Sequence, residues 1–350
     1  MPPRWSIDFV MRLLDTSVFH YTFTFVLTPL CKFVGYGPGT LLFNLTLLYA
    51  ALLFTVRIGM TLSTRYQRAG GNGGKRSKID WAEEVVLITG GASGIGLTLA
   101  EALAIRQIEV VVLDVKPVET ALGIESYICD VSDPKDIARV AKLIREDVGK
   151  PTIIVNNAGI VIGKSIQDLT EQDIRRTMDV NFFSHVWILK EFLPDMLKND
   201  HGHIITISSV MGLMSAPQVA DYCASKAAAK AFHESLEAEL KYIHNSKGIR
   251  TTLVCPGRTA TGMFAGVMER FPFWTPVVTP LEVAQAIIHS MEMRMGRNQI
   301  RLPFYANFVP LVDIMPAWVK DMATVVSGAD RAMDTFQGGA EQEKMRKKDL

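Results

Sequence analysis

Val85-Val86-Leu87-Ile88-Thr89-Gly90-Gly91-Ala92-Ser93-Gly94-Ile95-Gly96 runs from a short apolar stretch into a glycine-rich turn, and a helical pattern begins at Leu97. Consecutive apolar residues without alternation read as a strand buried on both faces, as in a parallel sheet. In this strand–turn–helix context the glycines have separate uses. Gly90 permits the tight turn, Gly94 lets a pyrophosphate approach the backbone, and Gly96 allows close helix packing. Thr89, Ser93 and Ile95 fill the rest of the turn, and the helix N-terminus faces the anion.

The same signals recur on both sides of this unit. Glu109 to Asp114 is a second strand, with an acid at its C-terminal end. Further strands are predicted at Ser126 to Cys129, followed by Asp130-Val131, and at Thr152 to Val155, followed by Asn156-Asn157-Ala158-Gly159. Others are His203 to Ile207 before Ser208-Ser209, Thr251 to Val254 before Pro256-Gly257, and Gln299 to Arg301. Longer periodic segments lie between them, at Pro134 to Val148, Gln172 to Leu197 and Gln218 to His244. The alternation predicts an α/β fold: a Rossmann-type doubly wound parallel sheet with helices on both faces. Ligands gather at the strand C-termini in such a sheet.

The chain has 350 residues, 37 Lys plus Arg against 36 Asp plus Glu, and a formal charge of +1, so no chain-wide electrostatic case for nucleic acid exists. Its four cysteines show no CxxC spacing and no HExxH occurs, so no metal site is predicted. His201 and His203 read as a turn entering a strand. Mean hydropathy is +0.18, high for a chain with 21% charged residues. The apolar excess lies at the front, where Phe33 to Val56 carries no charge. About 20 apolar residues span a bilayer core, so the sheet is expected to follow an N-terminal hydrophobic membrane anchor, either one span or a hairpin. Arg57, Arg65, Arg68, Lys75, Arg76 and Lys78 follow without an acid, which favours a cytosolic catalytic region. The expected organisation is an anchor at 1–62, a basic glycine-rich linker at 63–83 and a catalytic domain at 84–302. An apolar extension at 303–336 and a charged tail at 337–350 complete it. Lys347 and Lys348 in the tail resemble a dilysine retrieval signal.

Tyr222 and Lys226 stand four apart on a predicted helix and so share a face. Ser209 lies 13 residues before Tyr222, at a strand end. Together with the glycine turn, Asp130, Asn156 to Gly159, Asn181, Pro256-Gly257 and Thr261, these residues resemble the short-chain dehydrogenase/reductase family over about residues 84–302. The chemistry follows from the side chains. An ordinary Tyr is a weak base near neutrality, and a nearby lysine ammonium favours its phenolate. Tyr222 is then the expected base in alcohol oxidation and acid in ketone reduction, while Ser209 steadies the reacting oxygen. The resemblance implies that Lys226 also binds the nicotinamide ribose and that Asn181 holds a water in the proton relay. It places Val131, Asn157, Ala158, Gly159, Pro256, Gly257, Thr259 and Thr261 beside the cofactor as well. Oligomers of two or four copies are a further implication.

Asp114 is suited to the ribose hydroxyls and would repel a 2′-phosphate, and position 93 offers no cation, so NAD is expected rather than NADP. Met263-Phe264 and Met268 make an adaptable apolar wall, which points to a hydrophobic alcohol or ketone reached from the membrane. The anchor, Asp114 and the terminal Met333-Asp334-Thr335-Phe336 resemble the membrane-associated retinol and 17-beta-hydroxysteroid dehydrogenases, whose members work at the endoplasmic reticulum or on lipid droplets. Two other readings stand beside this one: an NADPH-dependent ketoreductase of long-chain acyl or sphingoid intermediates, and a non-catalytic NAD-binding scaffold on membranes or lipid droplets.

Overall fold

The computed structural model describes residues 6–16, 21–68, 79–120, 122–268, 270–293, 297–312 and 314–337. Residues 69–78 of the linker and 338–350 of the charged tail, including Lys347 and Lys348, therefore lie outside the described residues. Three helices come first: α1 (Ile7–Thr16), α2 (Tyr21–Phe33) and α3 (Leu41–Arg68). Then β1 (Val85–Thr89), α4 (Gly94–Ala104), β2 (Glu109–Asp114), β3 (Glu125–Ile128), α5 (Pro134–Asp147) and β4 (Ile153–Asn156) follow. The second half holds α6 (Glu171–Met178), α7 (Ser184–Asn199), β5 (Gly202–Ile207), α8 (Ala220–Tyr242) and β6 (Ile249–Pro256). It ends with α9 (Pro280–Met293), β7 (Arg297–Leu302), α10 (Val309–Val312) and α11 (Ala317–Ser327).

The seven strands form one parallel sheet in the order β3-β2-β1-β4-β5-β6-β7. The strands are apolar on both faces because both faces are covered. Val86 and Ile88 of β1 face Leu99 and Leu103 of α4 and Ile287 and Met291 of α9. Leu87 points the other way, into a core shared with Ile144 of α5, Phe192 of α7 and Leu236 of α8. The winding reverses between β1 and β4, which opens a crevice above their C-terminal ends.

The segment expected as one helix over Gln172 to Leu197 is divided. A π-helical turn, Asp179–Phe183, separates α6 from α7 and carries Asn181. Such turns widen a helix by one residue and aim a side chain off the regular face.

In front of the sheet, α2 folds back on α3 through a turn in which Gly35 and Gly39 both take φ +95, a conformation open to glycine. The Leu41–Ser63 part of α3 has 23 residues with a mean hydropathy of 1.9 and is long and apolar enough to cross a membrane. α1 is bound to the catalytic body: Ile7 N–H donates to the Phe273 carbonyl at 2.9 Å, and Phe304 N–H donates to Asp8 Oδ1 at 2.8 Å. At its other end Asp15 pairs with Arg57 of α3.

Candidate active site

The glycine turn is held from below by side chains of β1 and the β4 end. Thr89 Oγ1 accepts the N–H groups of Asn157 (3.0 Å) and Ala158 (3.1 Å), and Asn157 Nδ2 donates to the carbonyls of Thr89 and Gly90, each at 2.9 Å. Thr89 and the Asn157 amide thus build the turn and do not point out of it. Gly90 sits at φ +66 with Ala158 so close that a Cβ would lie 2.8 Å from its Cα. A Cβ on Gly96 would run into the Gly90 carbonyl oxygen and lie 2.6 Å from Asn157 Nδ2. Gly94 faces Thr261, whose methyl would stand 3.2 Å from a Cβ there.

These residues fit a dinucleotide. Ser93 stands at the N-cap of α4 but makes no side-chain cap bond, so the first-turn amides of Gly94, Ile95 and Gly96 keep no capping partner. Asp114, at the end of β2, accepts Ala92 N–H at 2.9 Å and Lys116 N–H at 3.1 Å. That ties the acid to the glycine turn, and a carboxylate with one bond per oxygen still has acceptor capacity. Asp130 is exposed and accepts the Ser132 N–H and hydroxyl; the cap of α5 is Asp133 instead. Val131 is buried in the core under α5, so its side chain is not available to a ligand. Thr259 is buried as well, donating to the Gly257 carbonyl.

On the far side of the crevice, Gly159 brings two of the expected residues together. A Cβ on it would lie 3.3 Å from Lys226 Nζ and 3.4 Å from Asn181 Oδ1. The Asn181 amide is engaged: Oδ1 accepts Ile160 N–H at 2.7 Å, and Nδ2 donates to the Ile160 carbonyl and Ser225 Oγ. It therefore pins the loop after β4 to α8. Lys226 is 3% exposed and donates to the Ile207 carbonyl at 3.0 Å. Tyr222, one turn earlier on α8, lines the same cleft as Ser209, whose Oγ accepts Met211 N–H at 3.1 Å and donates to the Pro256 carbonyl at 3.5 Å.

The electrostatics differ from the expectation in one respect. Burial pushes Tyr222 up to about 12, with only the Ser209 hydroxyl opposing it. Lys226 is itself pushed down to about 8 by burial. Its Nζ lies 5.9 Å from the Tyr222 ring centre and gives one of its three hydrogens to the Ile207 carbonyl. Desolvation disfavours both charged forms, and here it outweighs the lysine's pull on the phenol.

Lys226 gives a stability prediction with a definite sign. Between about 8 and its ordinary 10.5, the unfolded chain binds the proton that the folded chain has lost. Stability then rises with pH across that window, by about 3 kcal/mol in total. Lys226→Met is expected to remove this rise, as read by urea unfolding at pH 7.5 and pH 10. An equal slope in both proteins would contradict it.

Above Ser209 and Tyr222 lies a cleft of about 960 Å³, its open mouth included. Phe264 packs edge-on against Tyr222 at 5.8 Å, and Phe264 and Met268 line the wall. Met263 packs against the small core around Tyr222 and Met333, outside that lining. Met211, Met214, Tyr305, Arg258 and Met333 are wall residues that the sequence reading missed. The roof is no free flap either. Met268 N–H donates to the Ala332 carbonyl, Gln337 N–H to the Ala265 carbonyl and Thr335 Oγ1 to the Gly266 carbonyl. Phe336 lies against Gly163, where a Cβ would overlap its ring. The 303–336 extension supplies Tyr305, Ser327 to Ala329, Ala332 and Met333 to the wall. Among the described residues no group of His, Cys, Asp and Glu could hold a metal; His203 is buried on Thr252, and His201 meets Glu84.

A parallel sheet with a glycine turn at its switch point, and a buried Ser–Tyr–Lys set under an apolar cleft, define a nucleotide-dependent oxidoreductase. Comparison with known proteins agrees. The short chain dehydrogenase family matches residues 84–270. Short-chain dehydrogenase/reductase family 16C member 6 of Bos taurus is 40% identical over 227 residues, 62% of this chain and 72% of that one. Epidermal retinol dehydrogenase 2 of Homo sapiens is 38% identical over 246 residues, 66% of this chain and 79% of that one. Among solved structures, ligand-free aldohexose dehydrogenase of Thermoplasma acidophilum superposes with a TM-score of 0.56 at 23% identity, over 65% of this chain and 94% of that one. 4-Hydroxyisoleucine dehydrogenase complexed with NADH does so at 0.56 and 21%, over 63% and 97%. At those identities the structures speak for the fold alone. The chain belongs to the short-chain dehydrogenase/reductase family, in its retinol dehydrogenase-like subgroup, and is an oxidoreductase of CH–OH groups that uses a nicotinamide cofactor.

Proposed function

We propose that the chain is a membrane-associated enzyme that moves hydride between NAD(H) and a hydrophobic alcohol or ketone, with Tyr222 as its acid and base. The observation that carries this reading is the placing of Ser209 and Tyr222 together in the lining of a cleft walled by methionine and aromatic side chains. The two hydroxyls offer one oxygen of a bound substrate two partners. A bound nicotinamide supplies the hydride acceptor in oxidation and the donor in reduction. In reduction, Tyr222 stays protonated up to about 12 and gives its proton to the oxygen that gains charge. Ser209, fixed by Met211 N–H, stabilises that charge. In oxidation, Tyr222 must first lose its proton, and the Lys226 ammonium behind it favours that step while charged. Asn181 acts by positioning: it fixes Ile160 and Ser225 around Lys226.

A lipid alcohol is supported by the cleft wall and by a relative named as a retinol dehydrogenase. A retinoid, a steroid or another lipid alcohol fits the same wall. NAD is supported by Asp114 and by the exposed Ser93, where a 2′-phosphate would meet a carboxylate and no cation. We expect wild type to prefer NAD in kcat/KM, and Asp114→Ser to narrow that preference by about tenfold or more. A wild-type preference for NADP would favour the ketoreductase reading instead.

The membrane assignment is supported by Leu41–Ser63, and the orientation by Arg57 near its end and Arg65 and Arg68 just beyond it. The membrane in this reading is the endoplasmic reticulum or a lipid droplet, with the catalytic domain on the cytosolic side. In microsomes, protease should digest that domain without detergent; full protection would refute the orientation.

A further inference from the structure

The cleft opens through a rim of apolar side chains. Trp274, Phe308, Ile314, Trp318, Met322 and Val326 are all exposed, Ile314 at 77% and Trp318 at 68%. They adjoin the cleft wall: Trp274 precedes Thr275, Val326 precedes Ser327, and the Phe308 ring lies 5.1 Å from Phe304, beside Tyr305. Trp318, Met322 and Val326 recur every four residues and share one face of α11. From Leu302 to Val319 the only charged residue is Asp313. Exposed apolar side chains concentrated on segments that also wall a cleft point to a contact with a partner or a membrane.

The anchor favours the membrane. Arg57 ends the charge-free part of α3, and a charge at that place in a spanning helix marks where hydrocarbon gives way to headgroups. Its pairing with Asp15 sets one end of α1 at that level. The other end is bonded to Phe273 and Phe304, at the rim itself. A helix of 10 residues is about 15 Å long. The rim is therefore tied within one short helix of the membrane surface. Tryptophans such as Trp274 and Trp318 are also the side chains that suit a membrane interface.

We propose that this rim is a membrane-seated collar: Trp274, Phe308, Ile314 and the outer face of α11 sit among the headgroups and first methylenes of the leaflet next to Arg57. A lipid alcohol then passes from the bilayer into the cleft without crossing water. The collar rests on the membrane-bound, lipid-alcohol reading above and adds where the enzyme body meets the bilayer.

Full-length protein and Trp318→Phe are reconstituted in phosphatidylcholine vesicles with plain or brominated acyl chains, which quench tryptophan on contact. Both proteins should float with the vesicles, and brominated chains should quench a component of the wild-type emission that Trp318→Phe lacks. Equal quenching in the two proteins overturns the collar and leaves the anchor standing. Trp318 shielded from brominated lipid and from aqueous acrylamide alike overturns it in favour of a second copy of the chain. Proteins that fail to float overturn the anchor and the collar together. As a second arm, Ile314→Asp combined with Trp318→Asp should lower kcat/KM about tenfold for a long-chain alcohol dissolved in the vesicles. Turnover of a short water-soluble alcohol should stay unchanged. An equal effect on both alcohols overturns the collar.

Discussion

Tyr222→Phe is expected to lower turnover by about 10²- to 10⁴-fold, the range that a positioned acid or base contributes. The substitution removes one oxygen and little else. Tyr222 is 4% exposed, and its ring packs against Phe264 and the small core around Val161 and Met333, contacts that phenylalanine keeps. The glycine turn and Asp114 lie on other elements, so nucleotide affinity should change by less than about threefold. Ser209 keeps its bond from Met211 N–H and cannot replace the lost proton donor. Turnover in Tyr222→Phe near the wild-type rate would remove the mechanism; lost nucleotide binding would assign Tyr222 a structural role.

The second large effect belongs to Gly96→Val. The first carbon of any side chain at Gly96 would overlap the Gly90 carbonyl, and two further methyl groups would meet Asn157. The turn cannot give way cheaply, because Thr89 and Asn157 clamp it through four hydrogen bonds. Overpacking of this kind costs about 1–3 kcal/mol. A displacement of about 1 Å at the phosphate-facing amides should lower nucleotide affinity about 10²-fold. Thermal unfolding with and without NAD checks both parts. A variant that NAD stabilises as strongly as it does wild type would show that the turn does not carry the nucleotide.

The sheet was legible because its signals are local. Each strand is a short apolar run closed by Gly, Asn, Ser, Asp or Pro, and the lengths between strands suit crossover helices. Tyr222, Lys226 and Ser209 were legible for the same reason, through helical spacing and a strand end. What escaped depends on contacts distant in sequence. The π-helical turn at Asn181 sits inside an unbroken helical pattern. The docking of α1 depends on an Asp8 contact to Phe304, 296 residues away. The roof over the cleft depends on Ala332, Thr335 and Gln337 reaching back to 265–268 through their backbone and a hydroxyl, which no periodicity records. Pro303, Pro310 and Pro316 also break the extension into pieces too short for a clear pattern. Neighbouring residues such as Met263 and Phe264 divide between core and cleft in an irregular loop, which periodicity does not record. The direction of the Tyr222 shift was missed because spacing shows a nearby lysine but not the burial that raises the phenol.

The most direct test uses detergent-solubilised full-length protein with NAD or NADP, screened against retinol, hydroxysteroids and long-chain alcohols. Absorbance of the reduced cofactor is followed, with Tyr222→Phe as the blank. The expected result is NAD-dependent reduction with at least one of these alcohols that disappears in Tyr222→Phe. Measurable NAD binding without turnover of any alcohol, or of the matching ketones with NADH, would contradict the assignment and leave a nucleotide-binding scaffold in its place.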